Sequence, residues 1–173
     1  MFGQTQIGTL LHEEHLQTIR SLQRLEEYLA SQSAKRPPDL SKPEARKVLG
    51  DVLGDVAKEV ERHFGFEENE LFTILSEQGE VGIVFMLTEE HGVIRPLALE
   101  LAEEAAAALA GKGFSADEWV DFHERGRELC EREIFHIQKE EMGLLAAISA
   151  LLDPATDAAL AETYGRVVTK PAG

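Results

Sequence analysis

The amino-acid sequence predicts an all-α protein, an up-down-up-down four-helix bundle with a short C-terminal helical tail. Apolar residues recur with the 3.6-residue period of a helix, and no run of alternating polar and apolar residues indicates strands. Segments rich in Gly, Pro and Ser divide the 173 residues into four long stretches joined by short loops. We expect a single domain over residues 1–173, with the bundle at about 5–152 and the tail at 153–173.

The first two helices are separated by a loop of typical composition. An apolar stripe predicts the first helix over about residues 7–29, and the Ser- and Pro-containing residues 31–38 follow as a loop. Ser41 is the expected N-cap of the second helix, because Pro43 falls in the first turn and Glu44 completes a capping box.

Glycine and proline mark the limits of the next helices. The second helix is expected to continue toward Leu75, with Gly79 and Gly82 at its end. Pro96 lies within the third helix, where the missing backbone donor should produce a kink near Gly92.

The fourth helix has clear signals at both ends. A turn is predicted at residues 111–113, and Ser115 with Glu118 forms a second capping box. Asp153-Pro154 should end this helix, and a short tail helix is expected over residues 156–164.

Composition narrows the possible partners and surroundings. With 17 Lys and Arg against 32 Asp and Glu, the net charge is −15, which disfavours binding to nucleic acid or to an anionic membrane surface. The single cysteine, Cys130, excludes an internal disulfide framework and any multi-cysteine metal site. The sequence shows no secretory signal and no apolar run of membrane-spanning length, so we expect a cytoplasmic protein.

Two histidines open the same local pattern, H-x-x-x-E-E-x-x-L, over residues 63–71 and 136–144. Positions i and i+4 lie about 40° apart around a helix, so each histidine can point in the same direction as the first glutamate of its pattern. These pairs are His63 with Glu67 and His136 with Glu140. The second glutamates are expected to turn outward to water; they are Glu68 and Glu141.

A second repeat, L-x-E-E-H, ends at His15 and at His91. His15 precedes His63 by 48 residues, and His91 precedes His136 by 45 residues. The chain therefore has the pattern of two helical hairpins that together place four imidazoles and two carboxylates in the bundle interior. Buried polar groups are costly unless they are satisfied, and metal ions would satisfy them.

These repeats resemble the hemerythrin-like (HHE cation-binding) domain family, and the resemblance covers essentially the whole chain up to residue 152. It implies a four-helix bundle with a non-haem di-iron centre, in which an oxo or hydroxo group joins two iron ions. By this resemblance, His15 and His63 hold one iron and His91 and His136 hold the other. The bridging carboxylates are then Glu67 and Glu140.

The sequence departs from the oxygen-carrying hemerythrins at two positions of their metal-binding pattern. Arg95 stands where those proteins have a second histidine in the third helix, and Glu140 stands where they have an aspartate. Both differences resemble the bacterial di-iron branch, which is associated with iron handling and with responses to oxygen or nitric oxide. Five-coordinate irons with open positions would favour reaction or sensing over reversible oxygen storage.

Three functions follow as hypotheses. The first is a di-iron protein that binds or senses a small diatomic ligand or peroxide, or that handles iron. The second is a di-iron oxidase or peroxidase, and whether the protein is an enzyme is left open. The third is a helical interaction module without metal.

Histidines and other chemically active side chains outside the pattern have weaker assignments. His12, three residues before His15, is either a further ligand or a supporting or surface residue, and Thr88 at the equivalent place in the repeat favours the latter. His123 should face away from the site, and Cys130 is interpreted as a packed or surface thiol. Three aromatic residues are interpreted as packing residues: Tyr28, Trp119 and Tyr164.

Overall fold

The computed structural model of the protein describes residues 5–169, in which five helices follow one another and no strand occurs. They are α1 (Gln6–Ser31), α2 (residues 43–77), α3 (residues 81–112), α4 (residues 116–151) and α5 (Pro154–Thr169). The predicted all-α bundle with a C-terminal helical tail is confirmed.

Wider, π-helical turns occur in three of these helices. The α-helical parts of α2 are Pro43–Ala45, Leu53–Phe66 and Phe72–Glu77, and its π-helical turns are Arg46–Val52 and Glu67–Leu71. The α-helical part of α3, Val81–Ala107, ends in the π-helical turn Ala108–Lys112. In α4, the α-helical parts are Ala116–Lys139 and Leu145–Leu151, and the π-helical turn between them is Glu140–Leu144.

One of the two predicted capping boxes forms and the other does not. At the start of α4, the N–H of Glu118 donates to Ser115 Oγ (3.2 Å) and the N–H of Ser115 donates to Glu118 Oε2 (2.7 Å), as predicted. At α2, the N-cap is Lys42 and makes no side-chain cap bond, so the prediction of a Ser41 cap is wrong. The Ser41 hydroxyl instead donates to Asp39 Oδ1 (2.6 Å), because that carboxylate is a strong local acceptor.

Glycines in left-handed conformations form the predicted turns, with one correction. Gly79 (φ +99°) ends α2, and Gly111 (φ +123°) and Gly113 (φ +62°) form the turn before α4. Gly82 was expected in the first of these turns but lies inside α3, since one left-handed residue is enough to end α2. The helix α3 is continuous through Pro96.

The described residues divide into two compact units. The first comprises residues 5–17, 61–92 and 135–169, and the second comprises Thr18–Val60 and Val93–Ile134. Within residues 5–169, no helix is long and apolar enough to cross a membrane.

The tail helix α5 contributes to the core of the first unit. Its residues Leu160 and Tyr164 are buried, and the ring of Tyr164 meets that of Phe66 edge to face at 4.9 Å. The N–H groups of Gln6 and Ile7 donate to the buried carboxylate of Asp157 at 2.8 and 2.9 Å. The tail helix therefore packs on the core of the first unit and supplies the carboxylate that caps α1.

The second unit buries the side chains that were predicted to lie away from the site. His123 is buried and its Nε2 donates to the Leu29 carbonyl (2.7 Å). The Cys130 thiol is buried, and burial raises its pKa to about 12. Trp119 and Tyr28 are buried, as expected of packing residues.

Candidate metal centre

The structure brings all six predicted site residues together in the first unit. His15 lies on α1 and His91 on α3, while α2 and α4 each contribute one histidine and one glutamate four residues later. All six side chains are buried, with at most 5% of any residue exposed. They are His15, His63, Glu67, His91, His136 and Glu140.

The four imidazoles form two pairs whose Nε2 atoms face each other. The Nε2 atoms of His15 and His63 are 3.3 Å apart, and those of His91 and His136 are 3.1 Å apart. Two ligand atoms that each lie about 2.1 Å from one ion, at angles between about 90° and 110°, are about 3.0–3.4 Å apart. The spacing of each pair therefore fits two ligands of a common metal ion.

The two buried carboxylates lie between the histidine pairs. Glu140 Oε2 is 3.0 Å from Nε2 of His15, and its Oε1 is 2.9 Å from Nε2 of His136. Glu67 Oε1 is 3.3 Å from Nε2 of His63, and its Oε2 is 3.4 Å from Nε2 of His91. Each carboxylate thus presents one oxygen to each pair, as a bridging ligand would.

The oxygens of these carboxylates have unused capacity for a cation. All four oxygens of Glu67 and Glu140 are buried and make no hydrogen bond of normal geometry with the described residues. Buried carboxylate oxygens that lack well-directed hydrogen bonds are costly, and a metal ion would satisfy them. Two groups of donor atoms, each within 4.8 Å of one another, could hold an ion. One group is Glu67, His91, His136 and Glu140, and the other is His15, His63 and Glu140.

A change in helix type begins at each of these two glutamates. Glu67 and Glu140 are each the first residue of a π-helical turn, in which the carbonyl accepts the N–H five residues later, from Phe72 and Leu145 respectively. Such turns occur frequently at functional sites. The H-x-x-x-E-E-x-x-L repeat thus describes an α-helical turn from histidine to glutamate, followed by a π-helical turn.

Four carboxylates, here called the outer carboxylates, bind the opposite ring nitrogens of the same histidines. The Nδ1 distances are 2.6 Å (His15 to Glu141), 3.3 Å (His63 to Glu14), 2.8 Å (His91 to Glu68) and 2.8 Å (His136 to Glu90). A carboxylate on Nδ1 fixes the ring orientation and leaves Nε2 free to bind a metal. The expectation that Glu68 and Glu141 turn to water is wrong, because the adjacent helices present histidines to them.

Basic side chains and His12 support the outer carboxylates. Arg62 pairs with Glu14, and Lys139 pairs with Glu90. His12 Nδ1 is 2.8 Å from Glu141 Oε2, and 42% of its side chain is exposed. His12 therefore lies outside both donor groups and contacts the site through Glu141.

Burial and charge act in opposite directions on the pKa values of these groups. Burial lowers the pKa of His15, but Glu140 and Glu141 outweigh it and raise that pKa to about 9. The pKa of His63 is raised well above its ordinary value by the same competition between burial and carboxylate charge. Burial raises the pKa of Glu140, but the charge of His136 and its contacts hold that pKa well below its ordinary value. The Glu140 carboxylate therefore stays ionised despite its burial and attracts positive charge.

Sequence reasoning missed the outer carboxylates, although the repeats contain a signal for them. Each repeat has two adjacent glutamates, and adjacent positions on a helix face different directions, by about 100°. In L-x-E-E-H the second glutamate binds a histidine of the neighbouring helix, while the first, Glu13 or Glu89, is exposed. In H-x-x-x-E-E-x-x-L, the first glutamate lies between the histidine pairs and the second is an outer carboxylate. In L-x-E-E-H, the first glutamate is exposed and the second is an outer carboxylate.

The chain matches the sequence model of a protein family. The model of the hemerythrin HHE cation binding domain matches residues 6–148, which include all of the residues described in this site. No curated protein matches the chain.

Proposed function

Because this chain belongs to the hemerythrin HHE cation-binding domain family, we propose that it is a non-haem di-iron protein that binds or senses oxygen, nitric oxide or peroxide, or that handles iron. The observation that carries the proposal is the position of the Glu67 and Glu140 carboxylates between two pairs of facing imidazole Nε2 atoms. Imidazole and carboxylate together suit iron, and bridging carboxylates are typical of sites with two metal ions.

Each side chain has a distinct role in the proposed centre. His15 and His63 would hold one iron, His91 and His136 would hold the other, and Glu67 and Glu140 would bridge them. When bound, a pair of iron ions supplies electrons and a binding position for a small ligand.

The surrounding protein prepares these donors. The outer carboxylates hold the proton on Nδ1 of each imidazole, so that Nε2 can act as a neutral donor. Burial of all six donors excludes bulk water, which strengthens the interaction between the carboxylates and a cation. A small ligand is favoured over a large substrate, because the donors lie among packed side chains rather than in an open cleft.

Metal analysis and spectroscopy test the proposal. The protein is produced in iron-supplemented medium, purified in air, and compared with His123→Ala, which removes a histidine that binds the Leu29 carbonyl instead of a metal. We expect about two irons per chain in both proteins, and a visible spectrum that changes when nitric oxide or peroxide is added. Purified protein that binds no iron would contradict the proposal, and sustained consumption of peroxide would make the protein an enzyme instead of a sensor.

A further inference from the structure

The two histidine pairs differ in how completely their donors are assembled. In the first position, four donor atoms, from Glu67, His91, His136 and Glu140, already lie within 4.8 Å of one another. In the second position, three donor atoms of the described residues lie this close together, from His15, His63 and Glu140. Extending the function proposed above, we propose that the first position holds a resident metal ion, and that the second position binds its ion later, more weakly and exchangeably.

Donor placement gives the first reason. A site whose ligand atoms are already gathered binds an ion with little rearrangement, whereas moving a ligand into place reduces affinity. Glu67 contacts His63 through Oε1 at 3.3 Å, but it does not join the compact donor group of the second position. An ion at the second position must therefore draw Glu67 or a histidine inward.

Aromatic packing gives the second reason. The His91 ring is parallel to that of Phe64, with 3.7 Å between centroids and 6° between planes. Phe72 also stacks on His91, at 5.5 Å and 22°. Rings held in this way keep a single orientation, so Nε2 of His91 stays directed at the first position.

The outer contacts of the second position differ from those of the first in length and in sharing. The Nδ1 of His63 is 3.3 Å from Glu14, the longest of the four outer contacts. The Nδ1 of His15 binds Glu141, and Glu141 also binds His12, whose side chain is 42% exposed. The orientation of the His15 ring therefore depends on a carboxylate that is shared with the partly exposed His12, and the orientation of the His63 ring depends on a longer contact.

Different affinities would give the protein a stable state with one ion. The first ion would remain bound when metal is scarce, and occupancy of the second position would follow the supply of free metal. The chain would then report metal availability through the second position, while the first maintains the assembled core of the site.

Anaerobic titration of metal-free protein with Fe(II), in competition with a chromophoric chelator, tests the inference. The wild type should bind two ions in steps whose dissociation constants differ by at least about tenfold, the lower limit of the effect of supporting contacts at metal sites. His15→Ala and His136→Ala form a matched pair, since each removes one imidazole. His15→Ala should keep the tight step and lose the weak one, whereas His136→Ala should lose the tight step.

A milder variant covers the case in which a histidine variant does not fold, as judged by circular dichroism. Phe72→Leu keeps an apolar core side chain but removes one of the two rings stacked on His91, so it should weaken the tight step and leave the weak step unchanged. Two steps of equal affinity in the wild type, or loss of the tight step in His15→Ala alone, would overturn the inference while leaving a two-metal site intact. A wild-type protein that binds no iron would instead overturn the proposed function.

Discussion

Neighbouring glutamates on α3 provide a sharp test of the role given to the outer carboxylates. Glu90 binds Nδ1 of His136 at 2.8 Å and pairs with Lys139, whereas the adjacent Glu89 is exposed. A hydrogen bond to a charged group contributes roughly 1.5–3 kcal/mol. The lower end of that range, about 1.5 kcal/mol, applies here. The reason is that 24% of the Glu90 side chain is exposed and its carboxylate also pairs with Lys139. This free energy corresponds to about a tenfold loss of metal affinity in Glu90→Ala.

The assay is chelator competition with Fe(II), performed on wild type, Glu89→Ala and Glu90→Ala at the same ionic strength. Both variants remove one negative charge from adjacent positions of one helix, so general electrostatic attraction of cations changes similarly in both. Glu89→Ala should stay within about twofold of the wild type, because surface substitutions change free energies by only about 0.5 kcal/mol. Equal affinities in the two variants would refute the role of Glu90 in orienting His136.

Three further predictions concern other parts of the chain. Asp157→Ala should lower the free energy of unfolding by about 1–2 kcal/mol in a urea titration, because it removes the acceptor for the first N–H groups of α1. The control Glu162→Ala, on the exposed face of α5, should change that free energy by less than about 0.5 kcal/mol. His12→Ala should leave about two irons per chain and His15→Ala should lose one, as measured by metal analysis; the reverse result would show that the L-x-E-E-H repeat sets the wrong register. The Cys130 thiol, with its pKa raised to about 12, should react with a disulfide reagent only after denaturation, and rapid reaction of the native protein would contradict its burial.

Helix positions could be predicted because apolar periodicity and turn residues are local signals. The capping box at Ser115 and the left-handed Gly79 lie where the sequence predicts them. The failed cap at Ser41 depends on competition from Asp39, which no propensity rule weighs. The packing of α5 depends on contacts between the two ends of the chain, such as Asp157 with Gln6, and such pairings leave no local periodicity.

The six predicted site residues could be found in the sequence because two hairpins repeat the same spacing, and the structure brings these residues together. The outer carboxylates could not be predicted in the same way. Glu68 and Glu141 bind histidines of a neighbouring helix rather than residues on their own helix. Helical-wheel geometry gives the direction of each side chain around its own helix axis. It does not show which side chain of another helix lies in that direction. The inequality of the two positions also depends on tertiary packing, above all on the rings that enclose His91.

If Glu67 and Glu140 each serve two metal ions, removing either carboxylate should lower the number of irons bound per chain. Iron content and visible spectra are recorded for wild type, Glu67→Ala and Glu140→Ala, produced side by side, with Glu70→Ala as the control for an exposed acid on the same helix as Glu67. We predict about two irons per chain in wild type and Glu70→Ala, and loss of the dinuclear centre in both site variants. Two irons per chain with an unchanged spectrum in both Glu67→Ala and Glu140→Ala would show that these carboxylates do not bridge two metal ions.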